Sequence, residues 1–505
     1  MRWVGRNTGV STSHHGGSAV GTDCRIALLG LKVSEGHLIR LVLAESDMND
    51  EVSSVTIALA TTSSKLRFDT LPDDVVAMVK LCILDWFAVA IAGAAEPTVG
   101  IMLDEALERG AAGDSSVPGC ASRLNLLDAA LIGGTASHAL DYDDGSAAMG
   151  GHPSVVIASA LLPLAEFCRR DGRSTLAAFV AGYELAARVG LLVTPDHYAQ
   201  GFHPTGTVGA LSAAAACANL LQLSPQITAV ALGIAATQAA GLIANFGTMC
   251  KPLHAGRAAA NGLLAARLAA RGFTGRSDML ETPYGFTHSH GTAPDLQSAS
   301  QAPVHGFHIL ANVFKFHAAC GGTHGVIEAA RQLRDRGVEP NAIRKLVARV
   351  NPKFERICNI EQPCDGLELK FSYRAMIAAA LLGLDTTAIS LYTGETASRV
   401  DLVVVRDKVE VQFSDAMAQS CSELVVELLD GTIETAAFDT RSQLGSPTLQ
   451  TRISAKFFSL VASVLGPTRA VLLHDRIVGL EQLEDAGELM HLAVSRRSDE
   501  RATSG

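Results

Sequence analysis

Charged and aromatic side chains are both scarce in this sequence. Only 18% of its 505 residues are Asp, Glu, Lys or Arg, and only 5% are Phe, Trp or Tyr. It has no Lys/Arg run and a formal net charge of −10. That excludes the basic stripe that a nucleic-acid partner would need. Ten cysteines are present without a C-x-x-C pair, so they are expected as reduced core residues rather than a disulfide frame or zinc site. Gly, His and charged residues break the Ala-rich runs before any reads as a clean membrane span of ~20 residues. The expectation is a cytoplasmic protein without a membrane partner. Gly-x-Ser-x-Gly, P-loop, Rossmann and zincin signatures are all missing, which argues against a serine hydrolase, an NTPase or a nicotinamide enzyme.

Apolar residues, by contrast, make up 48% of the chain. That is enough for a large core and more than one domain. Residues 1–53 differ in composition and are expected to be a disordered or adventitious leader, with Met48 an equally natural start. From Pro72-Asp73-Asp74, a helix-start pattern, the sequence predicts helices over 75–91, 98–110, 124–140, 153–171, 174–193, 206–220, 226–243 and 253–271. After about residue 300 the pattern changes. Strands are predicted over 345–351 and, in two parts, 400–413. A hairpin with a two-residue Asp430-Gly431 turn joins 423–429 to 432–438, and helices are expected at 324–336 and 371–384. The predicted class is mainly α: a large helical domain (54–300 with 446–495) and a smaller α+β lid domain (301–445).

Four polar clusters break the apolar pattern. The first joins His138, Asp141, Asp143 and Asp144 to Gly-Gly-His152-Pro153. Asp143 and Asp144 suit a capped turn, and three carboxylates admit a divalent cation without closing a coordination shell. Here His152 is a candidate proton donor with Asp141 as its orienting partner. The second is Phe-His203-Pro-Thr205-Gly, where Pro204 holds His203 extended and Thr205 is a candidate N-cap. The third carries Lys251, His254 and Arg257 within seven positions. Pro252 would keep Cys250-Lys251 extended before a helix, and these cations need a buried counter-charge or an anionic ligand. The fourth runs from Lys315 through His317 and Cys320 to His324, near the domain change. Cations at breaks between apolar helices suit a small polycarboxylate, with a His or Lys moving a proton beside one carboxylate.

The motifs His-Ala-Leu-Asp-Tyr-Asp-Asp (138–144), Gly-Gly-His-Pro (150–153), Gly-Tyr-Glu-Leu-Ala-Ala-Arg (182–188), Phe-His-Pro-Thr-Gly (202–206), Gly-Thr-Met-Cys-Lys-Pro-Leu-His-Ala-Gly (247–256), Cys-Gly-Gly-Thr-His (320–324) and Leu-Lys-Phe-Ser (369–372) occur in this order. Together they resemble the MmgE/PrpD family, which includes 2-methylcitrate dehydratase, cis-aconitate decarboxylase and iminodisuccinate epimerase. The resemblance implies a helical domain with an α+β lid, a homodimer, and neither metal nor organic cofactor. By motif it carries catalytic roles to Asp141, His152, His203 and Lys251, and substrate contacts to Lys315, His317 and His324; His254 and Arg257 join that set from the third cluster. Gly-Ser-Ala-Ala-Met after Asp144, and His317 in a position where an aromatic is common, are departures that bear on the substrate. The implied activity is a dehydratase or decarboxylase acting on a small di- or tricarboxylate; the alternative is an epimerase working at an α-carbon.

Overall fold

Helix makes up 61% and strand 10% of the described residues, which is the mainly α class expected. The computed structural model describes residues 54–193, 196–291, 299, 303, 306–443 and 446–495; the leader 1–53 lies outside them. Numbering the longer helices in order, α1 is Val55–Lys65, α2 Asp73–Gly93, α3 Pro97–Glu108, α4 Leu126–Ala139, α5 Ser154–Cys168 and α6 Gly172–Val193. Then come α7 Pro204–Leu220, α8 Pro225–Ala236, α9 Cys250–Ala270, α10 Gly321–Asp335, α11 Tyr373–Leu381 and α12 Val400–Arg406. The last three are α13 Leu449–Leu465, α14 Pro467–Val478 and α15 Gly487–Ala493.

Small residues let the central helices approach closely. α9 lies between α4 and α7, and α6 packs on α7. At the α4–α9 crossing, a Cβ on Gly256 would sit 2.1 Å from the Leu131 carbonyl oxygen, and one on Gly134 would sit 2.7 Å from the Gly256 Cα. This contact brings the C-terminal end of α4 beside the first turn of α9, and both ends carry polar clusters. Contrary to the sequence expectation, α2 and α6 are long and apolar enough to cross a bilayer. Both are largely buried inside the protein, as core helices apolar on every face are. The last helices return to the first: α13 packs on α2, and α15 on α5.

The sheet is four-stranded and mixed. β1 (Ile343–Val350) pairs in parallel with β2 (Val409–Phe413) and antiparallel with β3 (Cys421–Leu428), which pairs antiparallel with β4 (Ile433–Asp439). α10 covers β3 and β4 and packs on α11.

Three local expectations are corrected. The first half of 400–413 is helix α12, not strand. Leu402, Val405 and Arg406 are buried while Val400 and Val404 are exposed, so a helical face overrides the β-branched run. The hairpin turn has three residues rather than two. Leu428 N–H donates to the Thr432 oxygen at 2.8 Å, and only Gly431 takes a positive φ, of 87°, the pattern of a type I turn closed by a left-handed glycine. Helix α8 ends at Ala236 rather than 243, because the Gly241 carbonyl accepts the His203 N–H at 3.0 Å and that segment crosses the start of α7.

Candidate active site

Helix α4 ends with Leu140 as its C-cap and Asp141 in the left-handed region, at φ 51°. Asp is among the few residues that tolerate this conformation just past a helix end. The turn delivers its carboxylate to two lysines. Asp141 Oδ1 accepts from Lys251 Nζ at 2.8 Å and from Lys315 Nζ at 2.9 Å, and Lys315 also donates to the Asp141 carbonyl at 2.7 Å. Burial would raise the Asp141 carboxyl, but Lys251 and Lys315 outweigh it and hold the group well below the usual range. Burial likewise opposes the charge on Lys315, and Asp141 and Asp143 restore it, leaving the ammonium above its ordinary value. The anionic partner that the third cluster required is therefore Asp141, supplied by the first. One carboxylate against two ammonium groups leaves a net positive charge and unused N–H donors.

Asp143 is buried and does the orienting expected of Asp141. Its Oδ1 lies 3.0 Å from His138 Nδ1 and its Oδ2 lies 2.8 Å from His152 Nδ1. His152 Nδ1 also lies 2.8 Å from the Asp144 carbonyl. An ionised carboxylate only accepts, so both imidazoles carry a proton on Nδ1, and Nε2 stays outside these bonds. Burial would raise Asp143, but His138 and His152 pull it well below the usual range. The capped turn expected of Asp143 and Asp144 is instead buried, with the two side chains 1% and 0% exposed. Asp144 Oδ2 accepts from Ser154 Oγ at 2.5 Å and Asn312 Nδ2 at 2.9 Å, while burial raises its carboxyl.

His203 is extended at φ −97° and ψ 106° and caps α7, so Thr205 is not the N-cap. Instead the Thr205 hydroxyl accepts the His152 N–H at 3.1 Å, and a Cβ on Gly151 would sit 3.0 Å from that oxygen. The His138 ring centroid lies 4.7 Å from that of His152 and 5.9 Å from that of His203. His203 Nδ1 bonds His254 Nδ1 at 3.0 Å, and its ring packs edge-on against Phe246, 4.8 Å away. Lys251 Nζ stands 5.2 Å from the same Phe246 ring. Burial lowers His138 to about 4 and pushes His203 further down, so both are neutral at pH 7. α9 already includes Cys250 and Lys251, correcting the extended geometry expected before Pro252. A first-turn proline lacks only an N–H that would have no helical partner there.

The structure thus brings Asp141, His152, His203, Lys251, Lys315 and His254 together, and adds His138 and Asp143. Arg257 is exposed on α9 and makes no ion pair with this group among the described residues. His317 is buried with both nitrogens occupied, Nδ1 by Thr386 Oγ1 at 2.8 Å and Nε2 by Glu328 Oε1 at 3.3 Å. Its expected contact with substrate is corrected to a structural one. His324 packs edge-on against His317 at 5.0 Å and meets the Ala319 carbonyl at 3.2 Å. Cys320, the N-cap of α10, has its thiol drawn below the ordinary value by neighbouring Cys358, against the effect of burial. His138, Asp143 and His152 could also hold a metal, since their ligand atoms lie within 4.8 Å of one another.

Several known proteins resemble this chain. Cis-aconitate decarboxylase of Aspergillus terreus is 27% identical over 471 residues, covering 87% of this chain and 96% of its own length. The enzymes of that name from Homo sapiens and Mus musculus are 29% and 28% identical, covering 87% of this chain and 95% and 93% of theirs. The MmgE/PrpD N-terminal domain matches residues 57–299 and the MmgE/PrpD C-terminal domain residues 317–480. With those two matches spanning most of the sequence, the chain belongs to the MmgE/PrpD family.

Proposed function

We propose that this protein is a lyase that acts on a small di- or tricarboxylate, with decarboxylation of a cis-aconitate-like acid as the leading reaction. The observation that carries the reading is the shared Asp141 between Lys251 and Lys315, beside imidazoles whose Nε2 atoms are unassigned. The lysine pair holds one substrate carboxylate through its remaining donors. Loss of carbon dioxide from a neighbouring carboxylate leaves an electron pair on carbon, delocalised toward a carboxylate that the ammonium groups stabilise. His152, as the imidazolium whose Nδ1–H faces the Asp143 carboxylate, delivers its Nε2 proton to that carbon and is reprotonated from solvent. His203, desolvated and neutral, has no proton to take in decarboxylation and would serve as the base that removes the α-proton in dehydration. Dehydration would use the same pair, with the acid assisting departure of hydroxide. The relatives compared are named decarboxylases or decarboxylase-like, and nothing in them supports the epimerase alternative. In this reading, 54–300 with 446–495 forms the helical body, 301–445 the lid, and the active species is a homodimer.

The test is proton NMR in deuterated buffer with citrate, 2-methylcitrate, cis-aconitate and iminodisuccinate in turn. The expected result is conversion of cis-aconitate with loss of carbon dioxide and one solvent deuteron in the product. Deuterium exchange into recovered substrate without loss of carbon dioxide or water would overturn the lyase reading.

A further inference from the structure

Lys456 is one of the most completely enclosed charges in the protein, with 3% of its side chain exposed, and its partner Asp85 is 1% exposed. Asp85 sits in the apolar run of α2, and Lys456 on the face of α13 that also buries Ile453, Phe457 and Leu460. An ammonium group has three donors, and each has an acceptor. Lys456 Nζ meets Asp85 Oδ1 at 2.6 Å, the Tyr142 carbonyl at 2.6 Å and the Lys315 carbonyl at 3.0 Å. It also stands 3.9 Å from the Tyr142 ring centroid. Tyr142 follows Asp141 directly, and Lys315 is the other half of the Asp141 pair. One buried cation therefore holds the backbone of both partners. A buried ion pair adds little net stability, because desolvation offsets its Coulomb attraction; here it also binds two main-chain carbonyls.

We infer that Lys456 is a positioning residue: from outside the substrate site it sets the distance between Asp141 and Lys315. This rests on the lyase reading above. The main test is the double variant Lys456→Met with Asp85→Leu, which removes both charges and leaves no orphan ion. It is expected to unfold close to the wild-type temperature, yet to lose about 10²-fold in kcat, as an ~1 Å misplacement does. Citrate binding by calorimetry provides a readout independent of turnover, expected to weaken about 10-fold as Lys315 loses its register. A folded double variant with wild-type kcat and citrate affinity overturns the inference.

A second arm covers poor folding of that variant. A cavity of about 180 Å³, lined by Tyr142, Phe316, Arg331, Arg452 and Leu460, opens beside Lys456. Lys456→Ala should therefore admit ethylammonium. Saturable recovery of kcat or citrate affinity by added ethylammonium supports the inference, and no recovery overturns it. A wild-type protein that turns over none of the acids defeats the lyase reading alone, because citrate affinity still judges Lys456.

Discussion

Replacing Asp143 by Asn changes one atom and disables two imidazoles differently. The native carboxylate accepts from His138 Nδ1 at 3.0 Å and from His152 Nδ1 at 2.8 Å. An amide has only one acceptor, so one ring must face an N–H₂ group. His152 keeps its proton on Nδ1, because the Asp144 carbonyl still accepts it at 2.8 Å, so His138 is the ring that accepts at Nδ1 and moves its proton to Nε2. Losing one charge-assisted bond in this buried site costs about 1.5–3 kcal/mol of stability. His152 in turn loses the carboxylate that stabilises its imidazolium, and a weakened proton donor costs roughly 10²–10⁴ in kcat. Turnover of cis-aconitate by NMR, urea unfolding, and ¹⁵N shifts of the histidine rings read the three consequences separately. Asp143→Asn with kcat within about 3-fold of wild type between pH 6 and 8, and an unchanged His138 tautomer, would show that Asp143 orients neither ring.

Other predictions follow from the same geometry. Lys251→Met should raise KM for a tricarboxylate about 10-fold or more while the fold persists on Lys315, read by steady-state kinetics. Gly256→Ala puts a methyl group 2.1 Å from the Leu131 oxygen and should cost about 1–3 kcal/mol, seen in thermal unfolding. For pH, burial lowers folded His138 to about 4 from an ordinary 6.5, so the unfolded state binds the proton first. Stability should fall as pH drops from 6.5 toward 4, by up to about 1.4 kcal/mol per unit from this group. Asp143, held below its ordinary 3.8, contributes stability above that value and loses it at still lower pH; denaturant melts across pH test both.

Much of the helical pattern was legible because apolar faces, Pro starts and Gly stops act locally: α2, α5 and α7 begin within two or three residues of where the sequence places them. The Val400–Arg406 helix was not, because its fate depends on which side the core lies. The site was legible as four polar clusters, yet the partner assignments were not. Asp141 and Asp143 are two residues apart, and only the left-handed turn at Asp141 decides which meets lysine and which meets histidine. His317 looked like a ligand contact because nothing in sequence brings Thr386 and Glu328 to its two nitrogens. Asp85 and Lys456 did carry a signal: each is a charge at a core position of its helix, and such charges are buried only when paired. Their partners lie 371 residues apart, beyond the reach of periodicity.

In the proposed reaction one cationic site, built from Lys251, Lys315, His152 and His203, receives a polycarboxylate. The most direct measurement is a crystal structure with citrate bound. One citrate carboxylate is expected within hydrogen-bond distance of both Lys251 Nζ and Lys315 Nζ, with His152 Nε2 facing the adjacent carbon. Citrate seated elsewhere, with Asp141 still occupying both lysines and no contact to either histidine, would contradict it.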